Sequence, residues 1–284
     1  MGQPAIQFAE VSFKSQEVLF NKGDQADKLY LIKSGTIEIF DPDSRQVIAQ
    51  LKEGDAFGEQ AILLGGVRGA AAWAIEDAVC IEVTTEKLKA VLQTEPGIIR
   101  PVIEGLLLEL AMKNEIDAKR RQGQPLGFAL SDEVQTMAKY DPKRILSMLN
   151  TPEWAHLKAM ENLFLRLRSS DRLNMTAFTP GKTIVDTGEV PAAGYLVVTG
   201  VAVGNDANGQ PVNYGPGSVL GLSSGIAEQA PAQKVVSTRV VNALMFPIVR
   251  SIQEVRAANP GLKGISRCTV VRVLGLKAPP ATLT

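Results

Sequence analysis

The sequence predicts a mainly β chain with flanking helices, built as two tandem antiparallel barrels or sandwiches, and three observations predict it. Between residues 17 and 83, short β-branched and apolar runs alternate with Gly, Asp, Asn and Pro. The same grammar returns between 175 and about 248. The two stretches also register on each other: Gly23, Tyr30 and Gly35 fall opposite Gly188, Tyr195 and Gly200 at one offset, and Gly54 and Gly58 fall opposite Gly217 and Gly221 at an offset two residues shorter. A constant offset with one slip is what a duplicated domain with one altered loop gives.

Element by element, runs 17–20, 29–33, 36–40, 47–51 and 78–83 read as strands, because they are short, rich in Val, Ile, Leu and Phe, and bounded by turn residues. The boundaries are Asn21-Lys22-Gly23-Asp24, Ser34-Gly35 and Asp41-Pro42-Asp43-Ser44, all of which accept turn dihedrals at little cost. After Thr84 and Thr85, which can cap a helix, 86–93 reads helical. A longer amphipathic helix is expected over 96–121. Its stripe of Ile99, Val102, Ile103, Leu106, Leu107 and Leu110 must be covered by the barrel, by a partner subunit, or by both. Gly123 to Gly127 interrupts this pattern, and helices near 131–149 and 152–168 lead to the second half. The expected organisation is a first domain at 1–122, a helical connector at 123–170 and a second domain at 171–284.

Composition narrows the function classes. The 284 residues carry 30 Lys plus Arg against 30 Asp plus Glu, so the large positive field used for nucleic-acid or anionic-membrane binding is absent. Cys80 and Cys268 lie far apart with no CxxC spacing, which suits a reducing compartment. His156 is the only histidine, too few for a metal-dependent barrel enzyme whose His and carboxylate ligands converge on one ion. No metal, catalytic residue or cofactor is expected. The N-terminus lacks a secretory pattern, and no window reaches the roughly 18 unbroken apolar residues of a membrane span. The expectation is a cytoplasmic protein without enzymatic activity.

The chemistry concentrates in Gly54-Asp55-Ala56-Phe57-Gly58-Glu59-Gln60-Ala61 and the following Ile62 to Ala71. This stretch reads as a turn, a short helix starting near Gly58, and a strand after Arg68. Small residues at Gly58, Gly69, Ala70 and Ala71 let a ligand come close to the main chain. Arg68 offers a planar, permanently charged fork for a phosphate. Glu59, nine residues earlier, offers acceptor oxygens for a hydroxyl donor. An equally open reading of the same pair is a surface salt bridge contributing little.

On these residues, the segment 11–121 resembles the cyclic-nucleotide-binding domain family of catabolite-activator-type regulators and kinase regulatory subunits. The carriers are Phe57-Gly58-Glu59 with Arg68, supported by Gly23, Asp27, Leu29-Tyr30, Gly35 and Gly54-Asp55. The resemblance implies a jelly-roll-like β-roll and a bound cyclic nucleotide. It gives Glu59 the ribose 2'-hydroxyl, Arg68 the cyclic phosphate, and the surrounding Gly58, Gln60, Ala61, Gly69 and Ala70 the close contacts. Ile39, Ile48 and Leu51 line the apolar wall near the base, and Lys113, Asn114 and Arg120 are its candidate caps. Two positions depart from the commonest pattern, Gln60 where an apolar residue is usual and Gly69 where Ala, Ser or Thr is usual. A hydroxyl at the latter position favours cyclic GMP, so its absence makes cyclic AMP the preferred ligand and cyclic GMP the second.

The second half lacks the equivalents. Leu222 stands opposite Glu59, and Pro231 or Gln233 stands opposite Arg68, with only Lys234 and Arg239 as nearby cations. A buried phosphate without a cation keeps its desolvation cost, so a degenerate second copy is expected. The tail carries no winged helix-turn-helix of adequate length or basic character. The resulting expectation is a sensor or adaptor that regulates an effector protein in trans, with the 96–121 stripe as candidate homodimer surface. The alternative is an interaction scaffold that keeps the fold without the ligand.

Overall fold

A computed structural model of the chain describes residues 9–64, 67–95, 97–127, 167, 172–206 and 208–283. The helices expected near 131–149 and 152–168, and His156, lie outside the described residues. The chain divides into two compact units that do not follow the sequence repeat. One comprises Met1–Pro96 with Ala258–Cys268, and the other Gly97–Ala257 with Thr269–Thr284.

The first unit contains β1 (Ala9–Phe13), β2 (Val18–Phe20), β3 (Lys28–Ser34), β4 (Ile37–Asp41), β5 (Gln46–Leu51), β6 (Ala56–Phe57), the short helix α1 (Glu59–Leu64), β7 (Ala71–Ala74), β8 (Ala78–Thr84) and α2 (Thr85–Thr94). Two antiparallel sheets form, in the orders β1-β8-β3-β6 and β2-β7-β4-β5. Alternation along the strands sends Tyr30 and Ile32, Ile37 and Ile39, and Ala72 and Ala74 to one core, with Phe57, Leu51 and Cys80. The rings of Tyr30 and Phe57 stack at 5.2 Å, and Phe13 meets Tyr30 edge-on at 5.9 Å. Gly35 makes the β3–β4 turn at φ +86°, where a Cβ would lie 2.5 Å from the Asp77 carbonyl oxygen. Thr84 caps α2 by accepting a bond from the Lys87 N–H.

This unit is completed by Ala258–Cys268, from much later in the chain. Asn259 caps the helix Pro260–Leu274 through a bond from Leu262 N–H, and its amide donates to Glu95 at 2.8 Å. Gly264 lies against the Gly54 carbonyl and Leu31, where a Cβ would be 2.9 Å from each. Arg267 sits over Gly54 and 3.4 Å from the Asp55 carboxylate. Cys268 is buried in the same core as Cys80 and Tyr30.

The second unit contains α3 (Ile99–Arg121), β9 (Leu126–Gly127), β10 (Asn174–Phe178), β11 (Thr183–Val185), β12 (Ala193–Thr199), β13 (Ala202–Asn205), β14 (Pro211–Tyr214), β15 (Val219–Leu220), α4 (Leu222–Ile226), β16 (Val235–Ser237), β17 (Val241–Pro247), α5 (Ile248–Ala257) and the end of α6 (Pro260–Leu274). Its sheets run β10-β17-β12-β15 and β11-β16-β13-β14-β9. Apart from the two-residue β9, which pairs parallel to β14, each order repeats that of the first unit. The sequence repeat is therefore matched by two β-sheet regions of the same connectivity with flanking helices.

The long helix α3, which follows α2, belongs to the second unit. The stripe Ile99, Val102, Ile103, Leu106, Leu107 and Leu110 is buried, and Gly105 approaches Phe246 and Leu222 so closely that a Cβ would meet them at 2.8 and 2.9 Å. Glu254 of α5 accepts from Ile98 N–H at the start of α3, and Arg120 near its end pairs with Asp206 at 3.1 Å. The surface expected to serve a dimer is thus buried within the chain.

Candidate functional site

Glu59 and Arg68 are brought together inside the first unit by the turns around them. Gly58, at φ +79°, turns the chain from β6 into α1 so that Glu59 is the first helical residue. Glu59 is fully buried, 0% exposed, at the end of a helix where a carboxylate is favoured. The main chain of Arg68 is fixed by the β2–β3 turn: Gly23 N–H donates to Arg68 O at 2.8 Å, and Arg68 N–H donates to Asp24 O at 2.8 Å. The turn itself is closed by the Asn21 N–H donating to the Asp24 carboxylate.

The Arg68 side chain points inward and is 4% exposed. Nη1 donates to the Gly58 carbonyl at 2.9 Å and Nη2 to the Lys28 carbonyl at 2.6 Å. The guanidinium lies 4.2 Å over the Phe20 ring. Its Nε is buried and makes no hydrogen bond. Burial lowers the pKa of this group, opposed by Tyr30 and the carboxylates of Asp27, Glu59 and Asp24. The site is therefore a desolvated cation with a carboxylate on the adjoining helix.

Gly58 permits this arrangement. A Cβ there would lie 2.5 Å from Arg68 Nη1, at a φ that side chains rarely adopt. Gly58→Ala is expected to destabilise the first unit by about 1–3 kcal/mol and to displace the guanidinium. Chemical denaturation of the variant, followed by Trp73 fluorescence, measures it.

The other residues singled out from sequence are placed as follows. Gly69 faces open space, since a Cβ would meet nothing within 4 Å. Ala70 packs partly against the core and Ala71 is buried. Gln60 and Ala61 lie in α1 directly after Glu59. Ile39 and Leu51 are buried in the core, whereas Ile48 is 46% exposed. The register passes from Ile39 opposite Ala49 to Phe40 opposite Val47, so Ile48 is the extra residue of a bulge. Lys113, Asn114 and Arg120 lie on α3, in the second unit. Lys113 pairs with Asp117 at 2.7 Å and Arg120 with Asp117 and Asp206. None of the three is in the unit that carries Glu59.

Three contributors were not anticipated: Phe20 beneath the guanidinium, the Lys28 carbonyl, and the Gly23–Asp24 backbone that holds Arg68. Gly23 was legible as a turn, but nothing in its sequence says which residue the turn grips.

At the corresponding place in the second unit, Gly221 has φ +73° and is followed by the buried Leu222. Val185 and Pro191 stand against Gly221, where a Cβ would be 2.7 and 3.4 Å from them, as Arg68 stands against Gly58. The Gln233 amide donates to the Tyr214 hydroxyl, and Lys234 pairs with Asp186 at 2.9 Å. Among the described residues no group of three or more His, Cys, Asp or Glu is placed to hold a metal ion, and no helix is long and apolar enough to cross a membrane.

The chain is similar to the cAMP/cGMP-dependent 3',5'-cAMP/cGMP phosphodiesterase B of Dictyostelium discoideum, 30% identical over 115 residues, covering 38% of this chain and 10% of that protein. It is similar to the cAMP-dependent protein kinase regulatory subunit of Candida albicans, 28% identical over 123 residues, covering 43% of this chain and 26% of that protein. The chain thus matches between a tenth and about a quarter of the length of these curated relatives. Among solved structures, the regulatory domain of Toxoplasma gondii PKA with cAMP matches at a TM-score of 0.29 and 21% identity, over 87% of this chain and 80% of that one. Residues 10–95, which contain Glu59 and Arg68, match the family model of the cyclic nucleotide-binding domain.

Proposed function

We propose that the first unit is a cyclic-nucleotide sensor, with cyclic AMP preferred and cyclic GMP as second ligand, and that the chain regulates a partner protein in trans without catalysing a reaction. The observation that carries this reading is the burial of two oppositely charged side chains, Glu59 and Arg68, within electrostatic reach of each other in one small unit. Burying charges is costly unless something compensates them. A cyclic phosphate diester brings one negative charge for the guanidinium, whose Nε has no acceptor, and the ribose brings a hydroxyl donor suited to a carboxylate. The match of residues 10–95 to the cyclic nucleotide-binding domain model supports the same assignment. Gly69 is exposed and uncrowded, and the missing hydroxyl there favours cyclic AMP.

In the second unit, Leu222, Val185 and Pro191 take the places that Glu59 and Arg68 hold in the first. We read it as a copy without the nucleotide site. A change at Gly58 and Arg68 on ligand binding alters the surface offered to the partner, and by linkage that partner binds the two states with different affinity.

Isothermal titration of the full chain is expected to give a micromolar or tighter Kd for cyclic AMP and a weaker one for cyclic GMP. Glu59→Ala is expected to weaken cyclic AMP about ten-fold or more. One feature favours a second reading, an interaction scaffold without ligand: both Nη atoms of Arg68 are already engaged by backbone carbonyls and its face rests on Phe20. No heat with either nucleotide, together with a fully folded protein, decides for the scaffold.

A further inference from the structure

The second unit has one strand more than the first, and the difference leaves an edge open. β14 ends the four strands that repeat β2-β7-β4-β5, and β9 adds to it as a fifth. Val212 faces Leu126 and Asn213 faces Gly127 in parallel register. The main chains approach closely: a Cβ on Gly127 would lie 2.2 Å from the Asn213 carbonyl oxygen, and Lys119 Nζ donates to the Gly127 carbonyl at 2.7 Å. Leu126 and Val212 are both buried. β5 holds the corresponding place in the first unit, since Leu51 faces Ile37 as Tyr214 faces Ala202. No described strand pairs with its outer side.

Free edges are commonly blunted by charged side chains, yet Gln46–Leu51 carries none, and Val47, Ile48 and Gln50 are exposed. A bulge also blunts an edge. The one at Ile48 stops regular pairing short of Val47 and leaves Ala49–Leu51, the residues that match Val212–Tyr214. Beside this stretch stands a carboxylate without a cation. On the face opposite the core, Gln50, Glu38, Trp73 and Val18 form a row across all four strands. Glu38 is 9% exposed and accepts from Trp73 Nε1 and Gln50 Nε2, both at 2.9 Å. Both donors are neutral, and among the described residues Glu38 has no ion pair. In the second unit Val203, facing Asn213, takes the place of Glu38.

We propose that the Ala49–Leu51 edge of β5 docks an extended segment of a partner protein, which adds parallel to β5 as β9 adds to β14. The segment places an apolar residue beside Ala49 and, directly after it, a lysine or arginine beside Gln50. Ala49 packs against the core, so an apolar neighbour extends that core as Leu126 does beside Val212. The basic side chain lies on the outer face and reaches past Gln50 to Glu38. Two strand spacings, about 10 Å between Cα atoms, separate them, which a long basic side chain and a glutamate span together. Main-chain pairing supplies the affinity and the two side chains the specificity. The proposal rests on the sensor reading for the existence of a partner, but docking itself requires no nucleotide.

The test titrates the nitrogen-15-labelled full chain with the synthetic peptide acetyl-Ser-Thr-Val-Leu-Lys-Val-Thr-Ser-amide and follows amide and indole resonances. Shifts are expected at Ala49, Gln50 and Leu51 and at the Trp73 indole N–H, which shares Glu38, with a Kd of about 1 mM or tighter. No shifts at about 5 mM peptide, or shifts confined to other residues, overturn the docking site. The peptide with glutamate in place of its lysine is expected to bind about three-fold or more weakly, and equal binding overturns the proposed basic residue. In Glu38→Gln, which keeps an acceptor for Trp73, the difference between the two peptides is expected to vanish, and its persistence assigns the lysine to another partner and overturns that contact. Shifts at the same amides on raising the protein concentration without peptide give the edge to a second copy and overturn the partner segment. Peptide binding as stated, with no response of the chain to cyclic AMP, supports the docking site while refuting the sensor.

Discussion

Replacing Arg68 by alanine is expected to weaken cyclic AMP binding by about ten- to hundred-fold, corresponding to roughly 1.5–3 kcal/mol for a lost charge-assisted contact. The same substitution has a second consequence, because the guanidinium is also internal structure. Its removal strips a donor from the carbonyls of Gly58 and Lys28 and a cation from the face of Phe20. A loss of stability of about 1–3 kcal/mol is expected. Titration calorimetry and denaturant unfolding on one preparation separate the two effects. Arg68→Lys sharpens the comparison: it keeps the charge but not the fork that spans two carbonyls, so binding is expected to remain far below native. Native affinity in Arg68→Ala, with the fold intact, places any nucleotide elsewhere.

Substitution of Cys268 by aspartate, close to the end of the chain, is expected to unfold the unit that begins at its start. Cys268 is buried in the core formed by Tyr30, Ile32, Phe57 and Cys80. An unpaired carboxylate in that setting costs about 4 kcal/mol or more, a large share of the roughly 5–15 kcal/mol by which domains are stable. Cys268→Ala, which removes only a sulfur, is expected to be mild. Trp73, on β7 of the first unit, reports the loss by fluorescence in a background where Trp154 is replaced by Phe. An unaltered Trp73 transition in Cys268→Asp excludes this helix from the N-terminal core. If the nucleotide site depends on that core, the aspartate variant also loses cyclic AMP binding, without any substitution near Glu59.

Much of this architecture was legible in the amino acids. The expected strands at 29–33, 36–40, 47–51 and 78–83 correspond to β3, β4, β5 and β8 with ends shifted by a residue or so, because alternation and turn chemistry are local signals. The Gly and Tyr registration anticipated two sheet regions with one connectivity. Glu59 and Arg68 stood out because a short helix after a glycine, followed by an arginine, is a compact pattern. What was not legible was non-local. The stripe on α3 declares that it must be buried, and its spacing is blind to which set of strands buries it. Ile48 reads as one more apolar strand residue, yet a single bulge moves it out of the pairing register and into solvent. The carbonyls of Gly58 and Lys28 that hold Arg68 are backbone groups, which every residue supplies alike.

The placement of residues 258–268 bears on the order in which the protein acquires its structure during synthesis. When β8 leaves the ribosome every strand of the first unit exists, but the helix carrying Gly264 and Cys268 has yet to be translated. At roughly 5–20 residues per second, the nascent sheets wait about 10–40 seconds with part of their apolar surface uncovered. The covering contacts also join residues far apart in sequence, which slows their formation. The N-terminal unit is the first to be made and among the last to be finished.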